Sequence, residues 1–476
     1  MMKMKNQGKI LIVTCLALFM TMLDTLVLGV ALPSIQNSFH ADMTELEWFL
    51  NAYTLTFAVF LIPASLLGER FGRKRMFILG VLLFTIGSIL SGFSDSALSL
   101  SIARAVQGFG GAFIMPISLT LVYSVFSVEK RAAALGIWSG VSGLGLAIGP
   151  LVGGAVIEGF PWQMIFWLNI PIGILVVIFS SLWIPESRGS SKPFDVLGVG
   201  LLGIGLFGIV YGLVMGNTEG WGSASVITSI AAGLVLLLIF ARRSLKQAEP
   251  MINLRFFKNR NYLSFNLAGF WMSAGIFGSI FILTLFLQQG QGFSPLQAGV
   301  REMAWTGMTM IMAPLAGLFI NRLGSKNILI MGLVLQLFAM LYFAIITLIN
   351  GAHYPFTTLL PGLMMAGAGM GLSFTPLSHG ILTSLAEKDA GEASGVSNAF
   401  RELGGVFGVA IAGLIFQMGS AVTSQEQFAD HLVPALFVCS AMIAVGLASS
   451  LFTRTYKIGA SEEKGEYDEK KGVLAN

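Results

Sequence analysis

Apolar runs of about 20 residues, separated by short polar breaks, recur along the whole chain. An apolar helix of about 20 residues is long enough to cross roughly 30 Å of hydrocarbon. The pattern therefore predicts an all-α membrane protein with fourteen transmembrane helices, numbered here as spans 1 to 14. The predicted spans cover residues 10–32, 46–67, 76–93, 98–122, 134–157, 164–184, 195–215, 224–241, 262–287, 297–320, 325–348, 357–383, 393–419 and 432–453.

The positions of Lys and Arg support this count, because basic residues concentrate in cytoplasmic loops. All but two of the 28 Lys and Arg lie in the N-terminal segment, the loops or span edges of one side, or the C-terminal tail. The two exceptions, Arg104 and Arg301, fall inside predicted spans. A missing or extra span would invert this alternation, so we predict fourteen spans with both termini in the cytoplasm.

The chain also contains an internal repeat. The segment SLLGERFGRK (65–74) aligns without gaps with GLFINRLGSK (317–326), and glycines of span 5 recur in span 13, where Gly408 matches Gly149. Spans 1–6 are therefore predicted to be duplicated as spans 9–14, an arrangement typical of transporters that bind substrate between two halves. The predicted units are a six-helix bundle (1–190), two inserted spans (191–245), a second six-helix bundle (246–456) and a cytoplasmic polar tail (457–476).

Composition agrees with a membrane protein: 55% of the residues are hydrophobic and 11% are charged, against about 25% charged in soluble domains. The net charge of +4 is spread over short loops and forms no nucleic-acid-binding region. Cys15 and Cys439 lie far apart in apolar runs, so no disulfide is expected. The N-terminal segment lacks a small-residue cleavage site after its apolar run, and we interpret it as a retained first span.

Asp24 and Arg104 are charged residues inside predicted spans 1 and 4. At 1.5 Å per helical residue their depths differ by about 5 Å, so the two side chains can meet. The alternative for Arg104 is to cap carbonyl groups or to extend to the interface. Burial favours the neutral acid form of Asp24 and a nearby Arg favours the carboxylate, so Asp24 is a candidate proton carrier. The alternative is a permanently paired structural Asp.

The segment ERFGRKR after span 2 has two interpretations. A cluster of basic residues in a short loop is typical of a cytoplasmic anchor. Its repetition at 317–326 favours a hinge between spans, in which Glu69 and Arg70 form charge pairs in one conformation only.

Span 5 carries glycines at small-xxx-small spacing, which allows close helix packing. Pro150 adds a bend there, whereas the second repeat has Val409 at the matching position.

Three further charged residues lie in the second half. Glu302 in span 10 is a candidate second proton or cation site; the alternative is an interfacial acid that faces water. Arg401 and Glu402 are predicted to form a structural charge cluster at the inner end of span 13.

The sequence lacks the motifs of several other kinds of functional site. It has no GxxxxGK[ST] phosphate-binding loop, and its glycine strings lie inside a span, where a dinucleotide site does not form. The four histidines are scattered and form no HExxH motif or Cys/His cluster. No cofactor, metal site or catalytic triad is expected, so we expect no enzyme activity.

These segments resemble the major facilitator superfamily, and in particular its fourteen-span drug:proton antiporter branch. The resembling stretches are LDTLVLGVALP in span 1, ERFGRK after span 2, RAVQG in span 4, GLGLAIGPLVGG in span 5, WQMIFWLNIPIG before span 6 and NAFRELGGVFGVA in span 13. The first of them departs from the family pattern at Leu26 and Gly29, where Thr and Asn are usual.

The resemblance implies the major facilitator fold and proton-driven export of lipophilic, often cationic small molecules across a bacterial cytoplasmic membrane. Asp24, Arg104 and Glu302 are the candidate proton-coupling residues. The loop motif comprises Ser65, Glu69, Arg70, Gly72, Arg73 and Lys74. The span-4 motif comprises Arg104, Gln107 and Gly108. The antiporter motif comprises Gly145, Gly149, Pro150, Gly153 and Gly154.

The expected partners are the substrate, protons and membrane lipids, and we expect the protein to act as a monomer. A narrow-substrate exporter of one antibiotic, lipid or metabolite is the first alternative. An uncoupled facilitator or a membrane sensor is the second.

Overall fold

The computed structural model describes residues 7–188, 195–247, 250, 252–385, 389–418 and 424–453. Within these ranges, fourteen helices are long and apolar enough to cross a membrane, which confirms the predicted count. The predicted polar tail (457–476) and the boundary at 190 lie outside the described residues.

The first half and the inserted pair comprise the following helices: Gln7–Phe39, Met43–Phe71, Arg73–Gly92, Ala97–Val125, Val128–Gly159, Met164–Trp167 with Asn169–Trp183, Val196–Glu219 and Ala224–Lys246. A 3₁₀ helix, Leu254–Lys258, leads into the second half. That half comprises Arg260–Leu285 with a π turn at Phe286–Gly290, Pro295–Asn350, Phe356–Leu382, Ala390–Phe416 and Gln425–Leu451. Pro295–Asn350 contains spans 10 and 11, which cover Pro295–Ile320 and Arg322–Asn350.

The two copies of the repeat share a glycine turn between their second and third spans. Gly72 has a φ of 116° and Gly324 a φ of 77°. Residues with a side chain rarely adopt such angles. Both copies therefore need glycine at this position to reverse the chain between two long helices.

The same repeat places a lysine on the end of the sixth span of each half. The Nζ of Lys74 donates to the carbonyl oxygen of Ser181 at 2.6 Å. The Nζ of Lys326 donates to the carbonyl oxygens of Leu451 at 2.8 Å and Thr453 at 2.7 Å. Because the last carbonyls of a helix lack partners within it, each lysine caps a helix C-terminus.

The inserted spans 7 and 8 pack against each other, and span 7 also packs on spans 2 and 13. Asp195 and Arg243 join the two inserted spans through an ion pair of 3.1 Å. Span 7 therefore covers the seam at which span 2 of the first half meets span 13 of the second. The apolar contacts of this seam come from Leu55, Val59, Leu206, Val210, Val214, Val406 and Ala410.

The other seam, between spans 5 and 10, is closed at one end only. We call the end of the bundle that carries Gln7 and Leu451 the termini face, and the opposite end the far face. Towards the far face, a Cβ atom at Gly154 would lie 2.5 Å from the carbonyl oxygen of Pro295. Thr306 donates to the carbonyl oxygen of Ala147 at 2.9 Å. Spans 5 and 10 are therefore in backbone contact at this end.

The helix face of span 5 that carries Gly154 and Ala147 borders open space towards the termini face. Gly143, Gly140 and Gly136 continue the helical spacing of Gly154 and Ala147. A Cβ atom on any of these three glycines would have no neighbour within 4 Å. The space between the halves is therefore open at the termini face and closed at the far face.

This asymmetry gives the first prediction. Gly154→Leu should separate spans 5 and 10 at the far face, because a side chain there collides with the backbone of span 10. Gly140→Leu on the same helix face is the matched control and should leave the far face closed. Electron paramagnetic resonance can measure the distance between spin labels at Asn37→Cys and Gln425→Cys, in a background with Cys15→Ala and Cys439→Ala. Equal distances in the two variants would contradict the assigned seam.

Candidate functional site

Asp24 and Arg104 form an ion pair in the interior of the first half. Arg104 Nη1 donates to Asp24 Oδ2 at 2.5 Å. Asp24 is 4% exposed and Arg104 is 1% exposed. The depths that the sequence implies therefore do bring the two residues together.

Two amides complete the coordination of the Asp24 carboxylate. Gln107 Nε2 and Asn169 Nδ2 donate to Asp24 Oδ1 at 2.8 and 3.1 Å. Both amides also donate to Ser88 Oγ, at 3.1 and 2.9 Å. Ser88 in turn donates to the carbonyl oxygen of Phe166. The network joins spans 1, 3, 4 and 6, and it supplies polar neighbours that Leu26 and Gly29 cannot.

Arg104 has partners on every side. Its Nη1 also donates to Gln107 Oε1 at 2.7 Å, and its Nε donates to the carbonyl oxygen of Phe49 at 3.3 Å. The guanidinium carbon lies 4.3 Å from the centre of the Tyr53 ring and 5.8 Å from that of Phe166. Such cation–π contacts stabilise a desolvated guanidinium. Arg104 therefore does not extend to the interface, although it does bind one carbonyl group.

Gly108 of the span-4 motif brings Tyr53 next to Arg104. A Cβ atom on Gly108 would overlap the carbonyl oxygen of Tyr53. Spans 2 and 4 can approach this closely only because the residue is glycine.

The antiporter motif packs span 5 against the segment of span 1 that carries Asp24. A Cβ atom on Gly145 would lie 2.9 Å from Met22 Cβ, and one on Gly149 would lie 3.3 Å from the carbonyl oxygen of Leu23. Gly153 approaches the next turn of span 1 in the same way. Any displacement of span 1 at these turns therefore moves span 5 as well.

Another face of the motif contacts the second half. Gly154 packs on span 10, and the carbonyl oxygen of Pro150 occupies the space that a side chain at Gly299 would need. The bend at Pro150 lies at this contact, between the Asp24 segment and the closed seam.

The loop motif fastens the termini-face ends of spans 2, 3 and 6. Arg73 donates to both carboxylate oxygens of Glu69, at 2.8 and 2.7 Å. The Lys74 amide donates to Glu186 at 3.1 Å. Arg70 is exposed and lies over the Phe71 ring, so the Glu69 pair forms with Arg73. Ser65 and Gly72 mark the last turn of span 2 and the chain reversal.

Glu302 lies outside the Asp24 network. Thr284 of span 9 donates to Glu302 Oε1 at 2.5 Å. Arg301, its neighbour, lies 3.7 Å from the centre of the Phe293 ring and donates to the carbonyl oxygen of Gln297. The described contacts place Glu302 wholly within the second half.

The structure corrects the position of Arg401 and Glu402. We expected them at the inner end of span 13, but they lie near the middle of Ala390–Phe416. Their side chains are 3.6 Å apart. The helix begins at Ala390, before the predicted start at 393, so Glu402 lies twelve residues from one end of it and fourteen from the other.

Sequence reasoning missed Ser88, Asn169 and Glu47. All three are polar residues inside predicted spans, and all three are buried. A polar residue inside an apolar span is visible in the sequence and indicates a candidate site residue. The sequence does not show which face of the helix each of the three occupies. Within the described ranges, no group of three or more His, Cys, Asp or Glu is placed to hold a metal ion.

Comparison with known proteins agrees with this architecture. The Major Facilitator Superfamily model matches residues 14–409. Multidrug resistance protein Stp of Mycobacterium tuberculosis is 32% identical over 435 residues, which cover 90% of this chain and 79% of that protein. The tetracenomycin C resistance and export protein of Streptomyces glaucescens is 29% identical, over 89% of this chain and 78% of its own.

A solved structure supports the same fold. The crystal structure of an auto-inhibited POT family peptide transporter matches with a TM-score of 0.69 and 16% identity, over 95% of this chain and 97% of that chain. With fourteen apolar helices in its described ranges and family similarity over most of its length, the protein is a multi-pass membrane protein. The chain belongs to the major facilitator superfamily.

Proposed function

We propose that this protein is a proton-coupled antiporter that exports lipophilic, often cationic compounds by alternating access. The observation that carries the proposal is the buried Asp24–Arg104 pair, which lies directly behind the span-5 motif. The names of the relatives, a multidrug resistance protein and an antibiotic export protein, support the class of cargo.

Protonation of Asp24 is the step that changes the packing. The carboxylate accepts hydrogen bonds from Arg104, Gln107 and Asn169. A neutral acid attracts the guanidinium less strongly, so the interaction between spans 4 and 1 weakens. Since span 5 packs on the same turns of span 1, this change reaches the seam with span 10.

The open space between the halves is the route for cargo. Glu402 of span 13 is partly exposed, and the rings of Phe270 in span 9 and Phe400 in span 13 lie 5.0 Å apart. Aromatic faces and a carboxylate suit a lipophilic cation. By the distribution of Lys and Arg, the termini face is cytoplasmic, so cargo enters from the cytoplasm.

The energy available is sufficient for export. One proton that enters gains about 2.3 kcal/mol per 100 mV, which supports roughly a fifty-fold gradient of an uncharged cargo. Exchange of one proton for one monovalent cation moves no net charge, so the pH difference alone drives export of such a cargo.

An exporter of a single antibiotic is the second candidate. Relatives named for tetracenomycin C and actinorhodin favour it. A panel of unrelated lipophilic cations and neutral antibiotics separates the two, because a narrow exporter moves only one compound class.

The central test is Asp24→Asn in liposomes with an imposed pH gradient and ethidium as the probe. We expect the parent to move ethidium when the gradient is applied and the variant to lose this response while it still binds ethidium. Asp195→Asn is the matched control, because it makes the same change in an Arg-paired carboxylate outside the proposed path. This control should transport like the parent.

Two results would count against the proposal. Parent transport that ignores the gradient would favour an uncoupled facilitator or a sensor. Transport by Asp24→Asn at the parent rate would shift the proton site to Glu302. Absence of ethidium movement in the parent, with gradient-driven movement of one antibiotic, would select the narrow exporter.

A further prediction concerns the shape of the cation. Arg104→Lys keeps the charge, but an ammonium group cannot reproduce the fork that binds Asp24, Gln107 and the carbonyl of Phe49 together. We expect a loss of gradient-driven transport of about tenfold or more, which corresponds to about 1.4 kcal/mol. Arg243→Lys, in the partly buried pair with Asp195, is the control and should transport normally. Full activity of Arg104→Lys would show that charge alone is sufficient.

A further inference from the structure

Glu47 is a fully buried acid in the closed far-face seam between spans 2 and 13. Its side chain is 0% exposed, and its Oε1 accepts a hydrogen bond from Gln417 Nε2 at 2.9 Å. Thr44 also reaches Gln417, at 3.4 Å. A Cβ atom on Gly413 would overlap the Glu47 carboxyl group. The carboxyl group therefore fills the contact between the two halves.

The polar atoms around this carboxyl group are incompletely paired. Glu47 Oε2 has no hydrogen-bond partner, and neither side-chain atom of Asn51, one turn along span 2, has one. An uncompensated polar group in a closed interface is costly. A protonated Glu47 has an O–H that can donate to the acceptor oxygen one turn away.

No cation compensates the carboxyl group within the part of the chain that the structure describes. No Lys, Arg or His lies within 4.0 Å of it there, and the charge that acts on it is that of Asp42, also an acid. Arg104 is turned towards Asp24 and the carbonyl of Phe49. His431 of span 14 binds the carbonyl oxygen of Phe416.

Span 7 also packs on span 2, and its Tyr211 contributes a ring beside Trp48. The Tyr211 hydroxyl donates to Glu219 at 3.0 Å and not to Glu47. From every side, the closed seam therefore favours the uncharged form of the Glu47 carboxyl group.

We propose that Glu47 is a second proton-binding site, which holds a proton while the far face is closed and releases it when spans 2 and 13 separate there. Opening exposes the carboxyl group to water and separates it from Gln417. Water then stabilises the ionised form. Closing requires that the proton return. Low pH on the far side thus favours the closed state, and high pH favours the open state.

The Glu47 proton and the proton proposed for Asp24 differ in the side of the membrane with which they exchange. Glu47 takes up and releases its proton on the far side only, so it adds nothing to the driving force. It makes the closing of the far face depend on the pH of that side. The inference rests on the alternating access of the proposed function but not on proton carriage by Asp24.

The test measures far-face opening without cargo or gradient. Spin labels at Asn37→Cys and Gln425→Cys report the distance in lipid nanodiscs between pH 5 and pH 9. Every sample carries Asp24→Asn, so that the first proton site is silent. One proton released on opening raises the ratio of open to closed states by at most about tenfold per pH unit.

We expect Glu47→Gln, which keeps the acceptor for Gln417 and cannot ionise, to stay closed and to lose this pH dependence. Asp430→Asn, an exposed acid near the far face, is the matched control and should keep it. Glu47→Asp retains an acid and should also keep it, which separates titration from loss of packing.

A pH dependence of the label distance that persists in Glu47→Gln would overturn the proposal. So would the lack of any pH dependence in the protein that carries Asp24→Asn and an intact Glu47. If Gly154→Leu also failed to open the far face, the failure would instead lie with alternating access and hence with the proposed function.

Discussion

The buried ion pair between Asp24 and Arg104 is the constraint on which the first half of the molecule depends. Charges in an apolar interior are costly unless each is paired and hydrogen-bonded. The surroundings supply these partners from four helices: amides from Gln107 and Asn169, a hydroxyl from Ser88, and the Tyr53 ring. Spans 1, 2, 3, 4 and 6 must therefore keep their rotation and depth for the pair to exist, and a change in its charge affects all of them at once.

The repeat shows which features belong to the scaffold and which belong to function. Both halves reverse the chain at a glycine with positive φ, and both cap the sixth span with a lysine. Among the described residues, the first half buries its Asp24–Arg104 pair almost completely, whereas the Arg401–Glu402 pair of the second half is partly exposed. The second-half pair lies near the middle of span 13, so the two copies share a backbone but differ in where they place charge. This asymmetry suits a transporter that binds a proton in one half and contacts cargo from both.

The sequence predicted the fourteen spans because the length of an apolar run depends on bilayer thickness alone. It also predicted that Asp24 and Arg104 could meet, because depth follows from the number of residues along a helix. It did not predict the partnership of Ser88 and Asn169, the burial of Glu47 or the mid-depth position of Glu402. These depend on the rotation of each helix and on span ends, which packing between distant segments decides. Glu302 was singled out with Asp24, yet its described partner is Thr284 of its own half.

Proton-coupled antiport, as proposed, requires that binding of cargo and protonation of Asp24 oppose each other. The most direct measurement is the release of protons into weakly buffered detergent solution, followed with a pH indicator, when ethidium binds to the purified protein. We expect the parent to release up to one proton per bound ethidium and Asp24→Asn to bind ethidium without release. Equal release from both proteins, or binding to the parent without any release, would contradict this requirement.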